Sequence, residues 1–425
     1  MTDSQESYAV IGGEGFLGQH LVTALRRQFG DDRVASLGLT QRTFDKQYRF
    51  FTTDITNVDS VVTSVKRSGA TTIFHTASSH GDASIQQCQH INVNGTRNIV
   101  TACQQLGIRK LVFTSTVTIA LGDGESLINV DERLPPNEHA SNPYVATKAI
   151  AERIVLEANG KHGLLTCSIR PGAIIGPGER QVIPGFISVL KSHQAFVQMG
   201  SNLNLFDFVH VKDVVNSHLL AADRLDKSPV TKHAFEKRLK PVEKTVVGRI
   251  LPTSQTADVG ATATSSFSET EGQPTLMAQR TRFSQFSHMS LPTSTGHDDD
   301  NEESSVGVAG QVFIIGSGEP IPFWSFARAV WFEYNGHVSK FTLKLPASFG
   351  MAIAQVAEWY AVLVGIPKEK LGISKGRMQY VLGDLYFDIE KARRVLGYEP
   401  QHSVIDGIRD SVNWIKQEEA KKSNK

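Results

Sequence analysis

The chain has 425 residues, 40% of them hydrophobic, which is enough to bury the core of one large α/β domain with additional segments. Its 44 basic and 43 acidic residues nearly cancel, which excludes a general electrostatic attraction to nucleic acid. The cysteines, Cys88, Cys103 and Cys167, form neither a paired disulfide framework nor a zinc-binding CxxC pattern, so we expect a reducing, cytosol-facing compartment.

The first part of the chain alternates apolar β-type runs with helical patterns. The N-terminal residues 1–7 are short and mildly acidic, and they lack the basic and apolar parts of a signal peptide. Strands alternating with helices predict βαβ units, and therefore a doubly wound parallel sheet of the Rossmann type in residues 1–227. The predicted strands are Tyr8–Ile11, Val34–Leu39, Thr72–His75, Lys110–Ser115 and Leu165–Arg170.

The composition changes after Asp226. Residues 228–310 are rich in Ser, Thr, Pro, Gly and charged residues and contain few periodic apolar runs. We expect a mainly disordered insertion, because such a segment cannot bury enough apolar surface to offset the entropy of ordering. Folded character returns at Gln311–Ile315, so residues 311–425 are predicted to form a smaller C-terminal substrate-binding region that ends in a frayed polar tail from Lys416.

One C-terminal segment bears on membrane association. No run of about 18 apolar residues predicts a transmembrane helix. The nearest candidate, Leu345–Ile366, is mostly apolar but contains Gln355 and Glu358. It is either a helix of the folded region, which we prefer, or an amphipathic helix that lies on a membrane and would suit an apolar substrate.

A glycine-rich turn joins the first predicted strand to the first helix. Its glycines are Gly12, Gly15 and Gly18. The first permits a tight turn, the second leaves room for a pyrophosphate, and the third lets the helix pack closely on the sheet. Backbone N–H groups at the helix start would then face the phosphate charge. A glycine motif alone is weak, but its position between a strand and a helix predicts a dinucleotide-binding site.

The choice between NAD and NADP depends on the end of the second strand. NAD sites usually carry an acidic residue there that binds the ribose 2′-hydroxyl, but Gly38 occupies its expected place. Arg42 follows and can pair with a 2′-phosphate, or it can be a loop arginine in water. The sequence favours NADP weakly.

Three elements predict the catalytic residues. Tyr144 and Lys148 are four residues apart and therefore lie on one helix face, where an ammonium would lower the pKa of the phenol and make it a usable general base. The hydroxyls of Ser115 and Thr116 follow a predicted parallel strand, at the sheet edge where ligands bind in such folds. Thr116 is the first choice to hold the substrate oxygen, and Ser115 is the alternative.

These segments resemble the extended short-chain dehydrogenases, specifically the 3β-hydroxysteroid dehydrogenase group. The resemblance covers nearly the whole chain apart from the insertion. Within the group, the glycine segment is most similar to the sterol-4α-carboxylate 3-dehydrogenases, which decarboxylate their substrates in sterol demethylation, and the last matching segment favours sterol enzymes over nucleotide-sugar epimerases. The matching segments are Val10–His20, Phe74–Ser78, Asn92–Asn98, Arg170–Gly172, Asp207–Asp213 and Glu319–Trp324.

The resemblance implies roles for the matched positions. Tyr144 and Lys148 would be catalytic, and Lys148 would also hold the nicotinamide ribose. Pro171 would lie near the nicotinamide, and Asp54 and Ile55 near the adenine. The residues that would bind the pyrophosphate or line the cofactor cleft are Gly12, Gly15, Phe16, Leu17, Gly18, Thr76, Ala77 and Ser78. Gly38 departs from the acid of many relatives, which leaves the choice of cofactor open.

The resemblance implies NAD(P)-dependent oxidation of the 3β-hydroxyl of a 4α-carboxysterol to a ketone, with decarboxylation and without a metal. The alternatives are a 3β-hydroxysteroid dehydrogenase/isomerase that does not decarboxylate, and an NAD(P)-sensing protein without turnover. The intact Thr116, Tyr144 and Lys148 argue against a sensor. The implied surroundings are a sterol substrate, the cytosolic face of the endoplasmic reticulum membrane, other sterol-demethylation enzymes, and a second copy of the chain in a homodimer.

Overall fold

The computed structural model describes residues 6–423 except 44–47, 82, 122–125, 229–306 and 365–374. The predicted insertion 228–310 therefore lies outside the described residues, apart from Ser228 and residues 307–310. The strands are β1 (Tyr8–Ile11), β2 (Val34–Gly38), β3 (Arg49–Thr52), β4 (Thr72–His75), β5 (Lys110–Thr114), β6 (Leu127–Val130), β7 (Leu165–Pro171), β8 (Ala173–Ile175), β9 (Val197–Met199), β10 (Leu205–Phe206), β11 (Phe208–His210), β12 (Val312–Ile315), β13 (Ile321–Pro322), β14 (Leu343–Leu345) and β15 (Leu385–Phe387).

Helices are interspersed with the strands along the whole chain. The short helix Ile85–Cys88 runs through a π-helical segment, Gln89–Gly95, directly into the helix that begins at Thr96. The helices are α1 (Phe16–Phe29), α2 (Val58–Ser68), α3 (Ile85–Cys88), α4 (Thr96–Leu106), α5 (Pro143–Glu157), α6 (Val182–Lys191), α7 (Val211–Arg224), α8 (Phe323–Asn335), α9 (Ala347–Val364), α10 (Lys375–Leu382) and α11 (Val404–Ser423).

The main sheet has seven described strands, all parallel, in the order β12-β7-β5-β4-β1-β2-β3. From β1 the chain builds outwards through β2 and β3, and then returns to place β4 on the other side of β1. The order of the strands therefore reverses at β1 and β4. In an open parallel sheet, this reversal opens a ligand-binding crevice at the carboxyl ends of the two strands. The predicted Rossmann-type sheet is confirmed.

The central strands are buried on both faces, which explains their continuous apolar sequences. In β1, Tyr8 and Val10 pack in the cluster that contains α1, whereas Ala9 and Ile11 pack in the cluster that contains α2 and α4. Successive side chains of a strand point to opposite faces, so four consecutive apolar residues serve two cores. The half-exposed edge strand β3, which lacks this signal, was not predicted from the sequence.

The C-terminal region is joined to the N-terminal part through shared sheets. Strand β12 pairs in parallel with β7 at the edge of the main sheet. A smaller sheet in the order β13-β10-β15-β6 combines strands from both halves of the chain. Packed structure is present before Gln311, where the sequence predicted it to begin: Val308 is buried, and the amide of Gly310 donates to the carbonyl of Thr166 at 2.7 Å.

The prediction of a frayed tail from Lys416 is wrong for the described residues, because α11 continues to Ser423. The tail is held by polar contacts with distant segments. Glu419 pairs with the ammonium of Lys191 at 2.7 Å and accepts from the hydroxyl of Tyr334 at 2.9 Å. Asn424 and Lys425 lie outside the described residues. None of the helices that the structure describes is long and apolar enough to cross a membrane.

Candidate active site

The glycine turn between β1 and α1 is shaped to receive a phosphate group. Gly12 has a φ of +87°, and a Cβ on it would lie 2.7 Å from the backbone nitrogen of Ala77. A Cβ on Gly18 would lie 2.1 Å from the carbonyl oxygen of Gly12. No side chain caps α1 at Gly15, and its first turn contains no acidic residue. The N–H groups at this helix end are therefore arranged to bind an anion, as a dinucleotide pyrophosphate requires.

The segment after β4 lies against the glycine turn. Both the amide and the hydroxyl of Thr76 donate to the carbonyl of Ile11, at 2.9 and 3.0 Å, and Ala77 contacts Gly12 as described above. The structure thus brings together the carboxyl ends of β1 and β4, as the sequence predicted for the cofactor cleft. Phe16 and Leu17 begin α1 directly after the glycine turn. Pro171 ends β7, which is the second strand from β4 in the main sheet.

Asp54 and Ile55 lie after β3, next to the start of α4. The carboxylate of Asp54 accepts from the amide and the hydroxyl of Thr56, at 2.9 and 2.7 Å. The carbonyl of Ile55 accepts from the side-chain amide of Asn98 at 2.9 Å, and its side chain covers Gly95. These contacts fix the loop against the main sheet's helical layer. Their role at an adenine remains a prediction.

Helix α5 positions the predicted catalytic pair. Asn142 caps the helix by accepting from the amide of Tyr144 at 2.9 Å, and Pro143 occupies its first position. One turn later, the ammonium of Lys148 donates to the carbonyl of Thr114 at 2.6 Å and lies 4.1 Å from the ring centroid of Phe113. This bond ties the face of α5 that carries the predicted catalytic pair to the carboxyl end of β5.

The pKa of Tyr144 is shifted in the direction opposite to the sequence-based expectation. Burial raises the pKa of this phenol above its ordinary value, and a hydrogen bond with Ser78 lowers it in part. The ammonium of Lys148, which was expected to lower it, is bound to the carbonyl of Thr114. Desolvation by burial is therefore the largest influence on the pKa of this phenol.

The pKa of Lys148 is also strongly shifted, because its side chain is almost fully buried. Burial lowers the pKa of Lys148 to about 7, while the carboxylate of Glu152 one turn further along α5 acts in the opposite direction. A pKa near 7 places both protonation states within reach at neutral pH, as proton transfer requires.

Replacing Lys148 by methionine should stabilise the fold in a pH-dependent way. The lysine has a pKa of about 7 when folded and about 10.4 when unfolded. The unfolded chain therefore binds the extra proton between these values, and wild-type stability rises with pH across this window. The free energy of unfolding of Lys148→Met should exceed that of the wild type most below about pH 7, by up to roughly 4 kcal/mol. This difference should disappear towards about pH 10. Urea unfolding across this pH range measures the difference.

The lost hydrogen bond to Thr114 adds a constant cost to Lys148→Met, so the slope with pH is the test rather than the offset. Lys227→Met is a matched control, because this side chain is 58% exposed. The change in unfolding free energy caused by Lys227→Met should not vary with pH between about 7 and 10. A stability difference between Lys148→Met and the wild type that is independent of pH would contradict the lowered pKa of Lys148.

The structure places both candidate hydroxyls at the end of β5. Thr116 is half-buried, and its hydroxyl oxygen caps a short 3-10 helix, accepting from the amide of Thr118 at 3.3 Å. Ser115 is 4% exposed, and its hydroxyl has no hydrogen-bond partner within the described part of the chain. Thr116 is thus the more accessible of the two. Its selection as the substrate-binding hydroxyl remains a prediction.

Asn92 is a buried link between the cofactor side and the catalytic helix that sequence reasoning did not single out. Its side-chain amide donates to the hydroxyls of Ser79 and Thr147, at 2.9 and 3.0 Å, and its oxygen accepts from the amide of Ser79 at 2.9 Å. It lies in the π-helical segment before α4, a type of distortion that often marks functional sites. Its place in the matched segment Asn92–Asn98 was the available signal.

A second residue missed from the sequence is Glu14, inside the glycine turn. It is 6% exposed, and its carboxylate accepts hydrogen bonds from the amides of Arg42 and Thr43, at 2.6 and 2.9 Å. Strand β2 ends at Gly38, the position where the sequence lacks the usual acid. Arg42 is exposed there.

Comparisons with known proteins agree with this geometry. A family model described as the 3-beta hydroxysteroid dehydrogenase/isomerase family matches residues 9–238. The chain is 30% identical to sterol-4-alpha-carboxylate 3-dehydrogenase erg26, decarboxylating, of Schizosaccharomyces pombe, over 96% of both chains. It is 29% identical to the Candida albicans protein of the same enzyme name, over 98% of this chain and all of the relative.

Solved structures agree at the level of the fold. The crystal structure of Thermus thermophilus UDP-glucose 4-epimerase in complex with NAD is similar with a TM-score of 0.58 and 18% identity, over 96% of this chain and 99% of the other. At this identity the similarity supports the Rossmann-type architecture.

Proposed function

The chain belongs to the 3-beta hydroxysteroid dehydrogenase/isomerase family, and from that membership we infer that it oxidises the 3β-hydroxyl of a 4α-carboxysterol to a 3-ketone and releases the carboxylate as carbon dioxide. This is the C-4 demethylation chemistry of sterol biosynthesis. The observation that carries the inference is the similarity to decarboxylating sterol dehydrogenases along nearly the whole chain. The Tyr144–Lys148 pair at the end of β5 supplies groups suited to the first step.

The cofactor is a nicotinamide dinucleotide, and it supplies the hydride acceptor when bound. The uncapped end of α1 fits its pyrophosphate, and Gly12 and Gly18 allow the tight turn there, because a side chain at either position would clash with the backbone of Ala77 or of Gly12. The sequence-based preference for NADP rests on Arg42 and stays a prediction.

The protein groups at the substrate oxygen would act through proton transfer and hydrogen bonding. We assign to Tyr144, as a phenolate, the role of the general base that takes the proton of the sterol 3-hydroxyl. Thr116 would hold the same oxygen by a hydrogen bond. Lys148 lies one turn from Tyr144, and with a pKa of about 7 it can exchange a proton with the phenol near neutral pH. Asn92 would position Ser79 and Thr147 around the pair.

Decarboxylation follows from the chemistry of the oxidised product. Once carbon 3 is a ketone, the carboxylate on carbon 4 lies β to a carbonyl. The C–C bond to the carboxylate can then break, its electron pair passing to the carbonyl as an enolate, which afterwards takes up a proton. A hydrogen-bond donor at the ketone oxygen would stabilise that charge. Thr116 and the phenol of Tyr144 are the donors assigned to this place.

The test is turnover of a 4α-carboxysterol with NAD⁺ and with NADP⁺, following reduced cofactor and carbon dioxide together. Equal amounts of both products are expected. Reduced cofactor without carbon dioxide would favour a dehydrogenase/isomerase, and dinucleotide binding without turnover on 3-hydroxysteroids would favour a sensor. Thr116→Val should lose activity and Ser115→Ala should keep it, since Ser115 is buried beside the site.

We also propose that α9 attaches the protein to the cytosolic face of the endoplasmic reticulum membrane. This helix lies within the predicted segment Leu345–Ile366, of which residues 365 and 366 are outside the described part. Its apolar side chains are unusually exposed for a soluble surface. Those exposed by half or more are Phe349 (51%), Val356 (69%), Trp359 (75%), Tyr360 (60%) and Val364 (53%).

Flotation with phosphatidylcholine–phosphatidylserine liposomes tests the membrane proposal. The wild-type chain should float, and the triple variant Val356→Ser, Trp359→Ser, Tyr360→Ser should not. Ile85→Ser is a control, because this exposed apolar residue lies on another helix. If the triple variant instead abolishes a dimer seen by light scattering and liposomes bind neither form, the surface joins two copies. Association with other sterol-demethylation enzymes remains a prediction.

A further inference from the structure

We propose that Glu14 supplies, from the glycine turn, the acidic group that the end of β2 lacks, and that it makes the chain prefer NAD to NADP. The inference rests on the proposed dehydrogenase function and concerns its cofactor. It assigns a specificity role to a residue between two glycines of the phosphate-binding turn, and it opposes the weak sequence-based preference for NADP.

The position of the carboxylate is the first argument. Side chains two residues apart in a strand point to the same face, so a side chain at position 38 would project from β2 on the side of Ser36. On that side the hydroxyl of Ser36 donates to the carboxylate of Glu14 at 3.0 Å. The turn approaches β2 closely, because a Cβ on Gly13 would lie 2.4 Å from the same hydroxyl oxygen. Glu14 thus lies against β2 on the face from which a side chain at position 38 would project.

The carboxylate is also held rigidly. One oxygen accepts from Ser36 and from the hydroxyl of Tyr48 at 2.5 Å, and the other accepts from the amides of Arg42 and Thr43. Burial, followed by the hydrogen bond to Glu14, raises the pKa of Tyr48 well above its ordinary value, so this phenol remains a donor. The same bonds fix the loop that follows β2.

The charges then decide the specificity. A 2′-phosphate would bring up to about two negative charges towards this edge of β2, where it would meet the fixed charge of Glu14. The four acceptor sites of the Glu14 carboxylate are already occupied by the donors described above, but a 2′-hydroxyl brings no charge and so meets no such repulsion. Arg42 offers an opposite charge, but its side chain is exposed and its 3.4 Å hydrogen bond goes to the main-chain oxygen of Glu14. Water and salt screen an exposed charge more than a buried one.

Calorimetric titration of the full chain with 5′-AMP and with adenosine 2′,5′-bisphosphate tests the proposal without turnover, since the two ligands differ by the 2′-phosphate. The wild-type chain should bind 5′-AMP at least about tenfold more tightly, which corresponds to a modest charge repulsion at a protein surface. Glu14→Gln, which keeps the shape and removes the charge, should bring the two affinities close to each other. Arg42→Ala should keep the preference for 5′-AMP.

Equal or tighter binding of the bisphosphate by the wild-type chain would overturn the proposal, and this arm needs no variant. An unchanged ratio in a folded Glu14→Gln would also overturn it. If thermal melting shows that Glu14→Gln does not fold, Glu14→Asp takes its place and should retain the preference because it retains the charge. Failure here leaves the dehydrogenase function intact, because sterol turnover with either cofactor tests that function separately.

Discussion

Tyr144→Phe should lower kcat/KM for the 4α-carboxysterol by about 10³-fold, within the range that general acid–base groups contribute. The change removes the hydroxyl assigned to the substrate proton and leaves the ring in place. Its described partner is the hydroxyl of Ser78, which can turn to another acceptor, so the fold should be retained. Reduced cofactor and carbon dioxide should fall together, because the ketone must form before the carboxylate can leave.

Tyr8→Phe is the matched control. This tyrosine is buried, and its hydroxyl donates to Glu6 at 2.8 Å, but it begins β1 and so lies at the amino ends of the strands, opposite the crevice. Its removal should change kcat/KM by less than about twofold, as for substitutions away from the reacting atoms. The acid–base assignment would have to be abandoned if folded Tyr144→Phe kept a tenth or more of the wild-type kcat/KM. Binding of the dinucleotide to Tyr144→Phe should stay close to the wild-type value.

Glu152→Ala should destabilise the fold by about 3–5 kcal/mol, because it leaves the guanidinium of Arg170 buried without its partner. The two side chains are 1% and 3% exposed and lie 2.5 Å apart. Glu152 also accepts from the hydroxyl of Ser168 at 2.8 Å, so it joins α5 to β7 beneath the catalytic face. Urea unfolding with an unchanged m-value measures the effect.

A surface pair on the same helix provides the control for Glu152→Ala. Arg153 and Glu157 are 50% and 56% exposed, and such pairs contribute little, so Glu157→Ala should cost less than about 0.5 kcal/mol. The double variant Glu152→Met, Arg170→Met should be more stable than Glu152→Ala, since it removes both buried charges. A cost for Glu152→Ala as small as that of Glu157→Ala would show that water reaches the pair.

The sheet and the chemical motifs could be predicted because their signals are local. Two strands, Tyr8–Ile11 and Thr72–His75, begin and end where the apolar runs indicate, since strands buried on both faces need such runs. The edge strand β3 and the polar end of α11 could not be predicted in this way. Their sequences are not apolar runs, and contacts with residues distant in the chain hold them in place.

The sequence by itself determined the parallel fold, the phosphate-binding turn and the Tyr144–Lys148 pair, because strand runs, a strand–turn–helix junction and a four-residue helical spacing are readable over short stretches. Only the tertiary structure decided which groups these residues meet. It placed Glu14 against β2, 22 residues along the chain, and Lys148 on Thr114, 34 residues away. It also reversed the expected shift of the Tyr144 pKa, since desolvation depends on everything packed around a group and not on its neighbours in sequence.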